Sequence, residues 1–263
     1  MRYSEWIAAA YFAYLAAASW LRRVSFRRRV SLLAVAILSL LVIRAAGNEL
    51  LSPVRDWMPL AYILGGYYLS LALFVEPSPT VEAWLIGWDR RLLGDPATRF
   101  ARWPRAVLAY LDIVYMLCFL LVPAGCAVLV ATGQRALIDR YWTIVAGAEL
   151  ASFAPLAFIQ TRPPWVIERK AVLADRAVHR LASRMVQHLT ICVNTFPSGH
   201  VAGSLAVALA VIGPAPAAGA ILLALAASIA VACVVGRYHY VIDVVAGAAV
   251  AIVMFLFAVY AAV

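Results

Sequence analysis

Eight apolar stretches, each close to the length a helix needs to cross a bilayer, follow one another along the chain. They cover about 4–21, 30–48, 58–76, 106–131, 138–160, 198–213, 217–235 and 240–262, and 198–213 is the shortest. A hydrocarbon layer about 30 Å thick takes about 20 helical residues at 1.5 Å of rise each. Within it a segment must satisfy its own backbone N–H and C=O groups, which leaves the helix as the available form for such a run. With 65% of 263 residues hydrophobic, a soluble core is excluded, and the expectation is an all-α, polytopic transmembrane bundle. No linker, repeat or low-complexity tract interrupts it. The first run starts at Trp6 after a single arginine and ends at Trp20-Leu21 without a small-residue cleavage site, so it reads as a retained span, not a signal peptide.

The net charge of +9 sits between the spans and not in an aromatic-interleaved patch, so nucleic acid is not an expected partner. Assigning loops alternately to two sides gives one face Arg22, Arg23, Arg27 to Arg29, Arg90, Arg91, Arg99, Arg102, Arg105, Arg162, Arg169, Lys170, Arg176, Arg180, Arg184 and Arg237. The other face has Arg2, Arg44, Arg55, Arg135 and Arg140, a split of 17 to 5 that puts the richer face in the cytoplasm. Alanine and arginine usage is of a bacterial kind, so a bacterial inner membrane is the expected location. Cys118, Cys126 and Cys233 lie within spans and Cys192 in a loop, without the paired spacing of a zinc site or a disulfide framework.

Between the third and fourth spans, Val81, Trp84, Leu85, Trp88 and Leu92 share one helical face, with Glu82, Asp89 and Arg90 away from it. That pattern over 81–103 predicts an interfacial helix lying on the membrane. Acidic residues inside spans cost about 2.5–3.5 kcal/mol on insertion scales and so need a reason. Asp112, about two turns in from the richer face, is read as a brace for a site or a partner for an arginine. Glu149, mid-span, is read as interior glue or a polar cavity wall, too far along the helix from Arg162 for direct chemistry. His179 and His188 fall among arginines in a surface segment and are assigned no chemistry.

Chemistry-bearing residues gather at three span ends on the richer face. Pro197-Ser198-Gly199-His200 opens the sixth stretch. A proline suits the first helical turn, a glycine admits close approach, and leading N–H groups lack intrahelical partners. Ser198 and Gly199 therefore read as an anion site, with His200 beside it. His239 and Asp243 are four residues apart, so on a helix they share a face and the carboxylate can fix the imidazole's tautomer. Arg162-Pro163-Pro164-Trp165 ends the fifth stretch, where the prolines stop the helix and aim a guanidinium suited to bidentate phosphate contact. Arg237, two residues before His239, is either a second phosphate ligand or a marker of the face.

At these residues the chain resembles the PAP2 superfamily of lipid phosphate phosphatases and phosphotransferases. The resemblance covers the last six spans, so residues 1–57 read as two additional N-terminal helices and 58–263 as the catalytic domain, a six-helix core. The superfamily's Pro-Ser-Gly-His motif is intact at Pro197 to His200, and the His-x3-Asp of its third motif at His239 and Asp243. Two cation positions depart: Pro155 stands where the first motif has lysine, and Ala232 and Cys233 where the third has Ser-Arg. The wording Phe-Pro-Ser-x-His and Tyr-His-Tyr-x2-Asp is closer to the branch with the inositol phosphorylceramide synthases.

The resemblance implies a cofactor-free, metal-independent lipid phosphatase acting on a membrane phospholipid or polyprenyl (pyro)phosphate. His239 would form a phosphohistidine, Asp243 would steady it, and His200 would serve as acid and base. Arg162, Ser198, Gly199 and Arg237 would surround the phosphate, and Asp112 would support them. The partners implied are a lipid phosphate and the bilayer itself. The resemblance also implies an active site facing the periplasm, lumen or exterior, opposite to the side given by charge. Transfer of a phosphoryl headgroup between lipids is the alternative. Two further readings stay open: a two-His-one-carboxylate metal site in an oxidoreductase, and a non-catalytic lipid-binding or transport bundle with Glu149 as its polar wall.

Overall fold

A computed structural model of the chain describes residues 1–45, 52–168, 181, 182, 184, 185, 188 and 190–261. Among them there is no strand, only an isolated bridge between Thr161 and Asn194. Arg169, Lys170, Arg176, His179 and Arg180 of the basic segment lie outside the described residues.

Each of the eight apolar stretches holds a helix. They are α1 (Tyr3–Leu21), α2 (Phe26–Ala45), α4 (Met58–Ser70), α7 (Arg105–Ala131), α8 (Ile138–Phe153), α10 (Gly199–Ile212), α11 (Pro216–Val235) and α12 (Val241–Tyr260). Shorter helices join them: α3 (Ser52–Arg55), α5 (Pro79–Leu93), α6 (Pro96–Ala101) and α9 (Pro164–Glu168). Among the described residues, α7, α11 and α12 are long and apolar enough to cross a membrane, and α10 is a shorter apolar helix. The protein is an integral membrane bundle. Its central helix is α10, which packs against α7, α8, α11 and α12.

The N-terminal helix is tied to this bundle at both ends. At its start the Ser4 hydroxyl donates to Asp139 at 2.6 Å and Glu5 pairs with Arg55 at 2.6 Å. Nearer its end the Tyr14 hydroxyl donates to the Ala154 carbonyl at 2.7 Å. α2 lies outside α1, with Leu33, Ile37, Leu38 and Leu41 exposed.

The segment predicted as one interfacial helix over 81–103 is two. Ser78 caps α5 by accepting from the Val81 N–H, and Pro79 occupies its first turn, where the missing N–H costs nothing. Gly94, at φ +75°, ends it in a conformation that side chains rarely adopt. Asp95 then caps α6 through the Thr98 N–H. The faces also sort differently from the simple picture of an apolar side down. Glu82, Leu85 and Asp89 are buried against the protein, while Trp84 and Leu92 are half exposed on the opposite side.

Candidate active site

The Pro-Ser-Gly-His turn and the start of α12 are held against each other by backbone. Ser198 caps α10, its N–H donates to the Asp243 carbonyl at 3.0 Å, and the Gly199 N–H donates to the Thr195 hydroxyl at 3.4 Å. At Gly247, one turn further along α12, an added Cβ would lie 2.5 Å from the Ser198 carbonyl oxygen, so the close approach depends on the missing side chain. This contact sets the His200 and His239 ring centroids 5.5 Å apart.

His239 is 4% exposed, and its Nδ1 lies 3.3 Å from Asp243 Oδ2, an oxygen that also accepts the Tyr240 N–H at 3.0 Å. With the proton on Nδ1, the His239 Nε2 lone pair is free for chemistry. His200 shares a 3.1 Å hydrogen bond between its Nε2 and the Tyr115 hydroxyl. The two rings stack at 5.1 Å, and Tyr115 stacks in turn on Tyr238 at 3.9 Å. Tyr115 was not among the candidates from sequence, where it is one aromatic residue of many in an apolar span.

The residues expected around the phosphate are placed less directly. Arg162 donates to Glu82 from its backbone N–H (2.9 Å), Nε (3.0 Å) and Nη2 (2.8 Å), with its side chain 47% exposed. The guanidinium holds the Glu82 carboxyl below the ordinary carboxylate range. Arg237 is buried between Asp89 at 2.8 Å and Glu168 at 2.7 Å. Burial pushes the Asp89 carboxyl up, against the pull of the Val241 N–H and of Arg237. The polar face of α5 thus carries the carboxylates for both arginines. Ser198 and Gly199 use their backbone N–H groups within the protein, and Asp112 is buried on α7 away from the cavity.

The three motifs still converge, although α8 ends at Phe153, so Arg162 follows it in an irregular stretch and Pro164 opens α9 instead of stopping the span. The Tyr240 hydroxyl donates to the Arg162 carbonyl at 3.1 Å, and the Trp165 N–H to the Arg237 carbonyl at 3.1 Å. Below them lies a cavity of about 440 Å³, within the range of lipid and drug-sized sites. His200, His239, Tyr115 and Tyr238 line one end, and Leu60, Leu64, Val122 and Pro123 the other. Glu149 is on its wall, which matches the cavity-wall reading. A Cβ on Gly203 would overlap the Glu149 carboxylate, and one on Gly199 would lie 3.1 Å from its Oε2. The distance from Arg162 along α8 was the wrong measure of its place, because α10 brings His200 to it through space. Among the described residues no group of three His, Cys, Asp or Glu side chains is arranged to hold a metal ion.

The chain matches no curated protein and no solved structure. A family-level comparison matches residues 83–257, from the first turns of α5 to the last turns of α12, to the PAP2 superfamily. That span exceeds half of the chain and contains His200, His239 and Asp243 as well as both arginines. The chain belongs to the PAP2 superfamily.

Proposed function

We propose that this protein is a metal-independent lipid phosphatase whose His239 takes the phosphoryl group from a membrane lipid phosphate or pyrophosphate. The observation that carries the reading is the setting of His239: Asp243 lies against Nδ1, which leaves Nε2 without that partner, and the ring lines the cavity beside His200. Attack by Nε2 on phosphorus forms the P–N bond as the P–O bond to the lipid breaks, and His200 gives the leaving oxygen its proton. His200 then takes a proton from the incoming water, whose oxygen bonds to phosphorus as the P–N bond breaks. Asp243 favours the imidazolium that carries the intermediate.

In this reading Arg162 is the mobile phosphate ligand. It is half exposed and leaves Glu82 for a doubly charged phosphoryl group, which offers the same bidentate geometry with more charge. Arg237, buried between two carboxylates, braces the His239 loop, and Ser198 and Gly199 shape the floor of the site. A second reading, transfer to a lipid hydroxyl, has support from the cavity's apolar extension between α4 and α7 towards Leu60 and Val122.

The test is phosphate release by the purified protein in detergent from phosphatidate, diacylglycerol pyrophosphate and a polyprenyl pyrophosphate, with and without EDTA. The expected result is EDTA-insensitive release, acid-labile labelling of the protein from a ³²P-labelled substrate, and loss of both in His239→Ala. Asp243→Asn should lower turnover by about 10³–10⁴-fold through the wrong tautomer, as for the aspartate of serine-protease triads. Release that needs a divalent ion, or that persists in His239→Ala, overturns the reading. A new phospholipid in place of free phosphate, when a lipid alcohol is added, selects the transfer reading.

A further inference from the structure

Glu149 is a carboxylate on the wall of an otherwise mainly apolar and aromatic cavity, and no described residue donates a hydrogen bond to it. A charged or polar group at that depth, left without a partner, is costly to keep. Its surroundings are built to admit it: glycines at 199 and 203 leave room for the carboxyl group against α10, and Phe153, one turn along α8, walls the same spot. The unused acceptor oxygens therefore belong to the cavity and to what enters it.

Its depth indicates which part of a ligand it meets. Gly203 is three residues beyond His200 on α10, about 4.5 Å further from the motif end at the helical rise. A bilayer lipid with its phosphorus at His239 extends its chains in that direction, towards Leu60, Leu64, Val122 and Pro123. The atoms reached first, before the chains, are the alcohol carbons and oxygen to which the phosphate is joined. Aliphatic chain neither needs nor tolerates a carboxylate, whereas a hydroxyl supplies the missing donor.

We propose that Glu149 is the hydrogen-bond acceptor for the free hydroxyl of a membrane lipid alcohol bound in this cavity. That alcohol is the one released when phosphorus leaves a lipid phosphate for His239; if the enzyme transfers, it departs and a second lipid alcohol takes the same place, its oxygen bonding to phosphorus as the P–N bond breaks. The carboxylate forms no covalent bond and moves no proton; it selects and orients the hydroxyl whose proton His200 handles. The proposal rests on the preceding reading only for where phosphorus sits.

Binding tests it without turnover. The full chain in phospholipid nanodiscs is labelled with a photoactivatable diacylglycerol, and unlabelled diacylglycerol competes against its O-methyl ether, which has the same chains and no donor. Wild type and His239→Ala should both prefer the alcohol by about 3- to 10-fold, the scale of one ordinary hydrogen bond. Glu149→Gln should keep part of that preference and Glu149→Leu none. Because the preference is a ratio within one preparation, it is independent of the folded fraction. No preference in wild type, or the same preference in Glu149→Leu, overturns the proposal. Absence of turnover on every lipid phosphate would instead count against the chemistry at His239, while the binding ratio would still decide for Glu149.

Discussion

Arg237 and Asp89 meet at 2.8 Å with side chains only 4% and 1% exposed, joining the His239 loop to the helix α5 that precedes it by more than a hundred residues. Removing one partner of a buried pair leaves an uncompensated charge and costs about 3–5 kcal/mol. Asp89→Ala should therefore lower the thermal unfolding midpoint in detergent clearly. Glu168→Ala, whose side chain is 25% exposed, should cost about 1 kcal/mol or less. Equal effects would show that Asp89 is not the main anchor.

Glu82 competes with substrate for Arg162. Half-exposed pairs are worth about 0.2–1 kcal/mol, so Glu82→Gln should lower KM for a lipid phosphate by a factor between about 1.4 and 5, with kcat little changed. A raised KM would place Arg162 outside the phosphate site.

The same clasp has a defined response to acid. A carboxyl held below its ordinary 4.5 adds stability above that pH and loses it as pH falls through the lowered value. Between pH 5 and 8 the wild-type and Glu82→Gln unfolding midpoints should keep a constant difference, and that difference should shrink below about pH 4. A difference that changes already between pH 7 and 6 would point to another titrating group.

Tyr115 touches His200 in two ways, by its hydroxyl and by its ring. Tyr115→Phe keeps the stack and removes the hydrogen bond, and should reduce kcat about tenfold while leaving KM within twofold. It should also displace the pH profile, because His200 then titrates without that partner. Tyr115→Leu should do more damage through loss of the ring. Wild-type kinetics and pH profile in Tyr115→Phe would remove Tyr115 from the catalytic arrangement.

Among the described residues Cys192 is the exposed cysteine, beside the cavity at the motif end, while Cys126 and Cys233 are buried. On the positive-inside rule, the expectation from the 17 to 5 arginine and lysine split is a cytoplasmic location for that end. An impermeant maleimide should then label Cys192 in inverted vesicles and not in intact cells. Labelling in intact cells would place the site on the opposite side, as the superfamily resemblance implies.

What could be read from sequence was local. The four-residue spacing put His239 near Asp243 and Pro197 to His200 is contiguous, but the helices begin later than expected: α12 starts at Val241 and α10 at Gly199, so His239 and Pro197 lie in the turns before them and not on a helical face. The use of the two arginines was not readable, because Glu82 lies 80 residues from Arg162 and periodicity reveals a polar face without saying what covers it. Glu149 was readable as a polar cavity wall but its closeness to the motif was not, because its neighbour is a glycine pair on another helix, and glycine leaves no signal of what fills its space. Eight helix locations followed from hydropathy, whereas the break at Gly94 follows from a φ that sequence suggests only weakly.

The fastening of α1 separates the order of synthesis from the order of assembly. Glu5 finds Arg55 only after 50 further residues, and Ser4 finds Asp139 after 135. During synthesis Glu5 therefore lacks its guanidinium partner until Arg55 emerges. Until α8 follows, α1 is packed on α2 without its tie to Asp139, so a chain stalled before α8 would carry that helix pair in the bilayer without its fastening to the bundle.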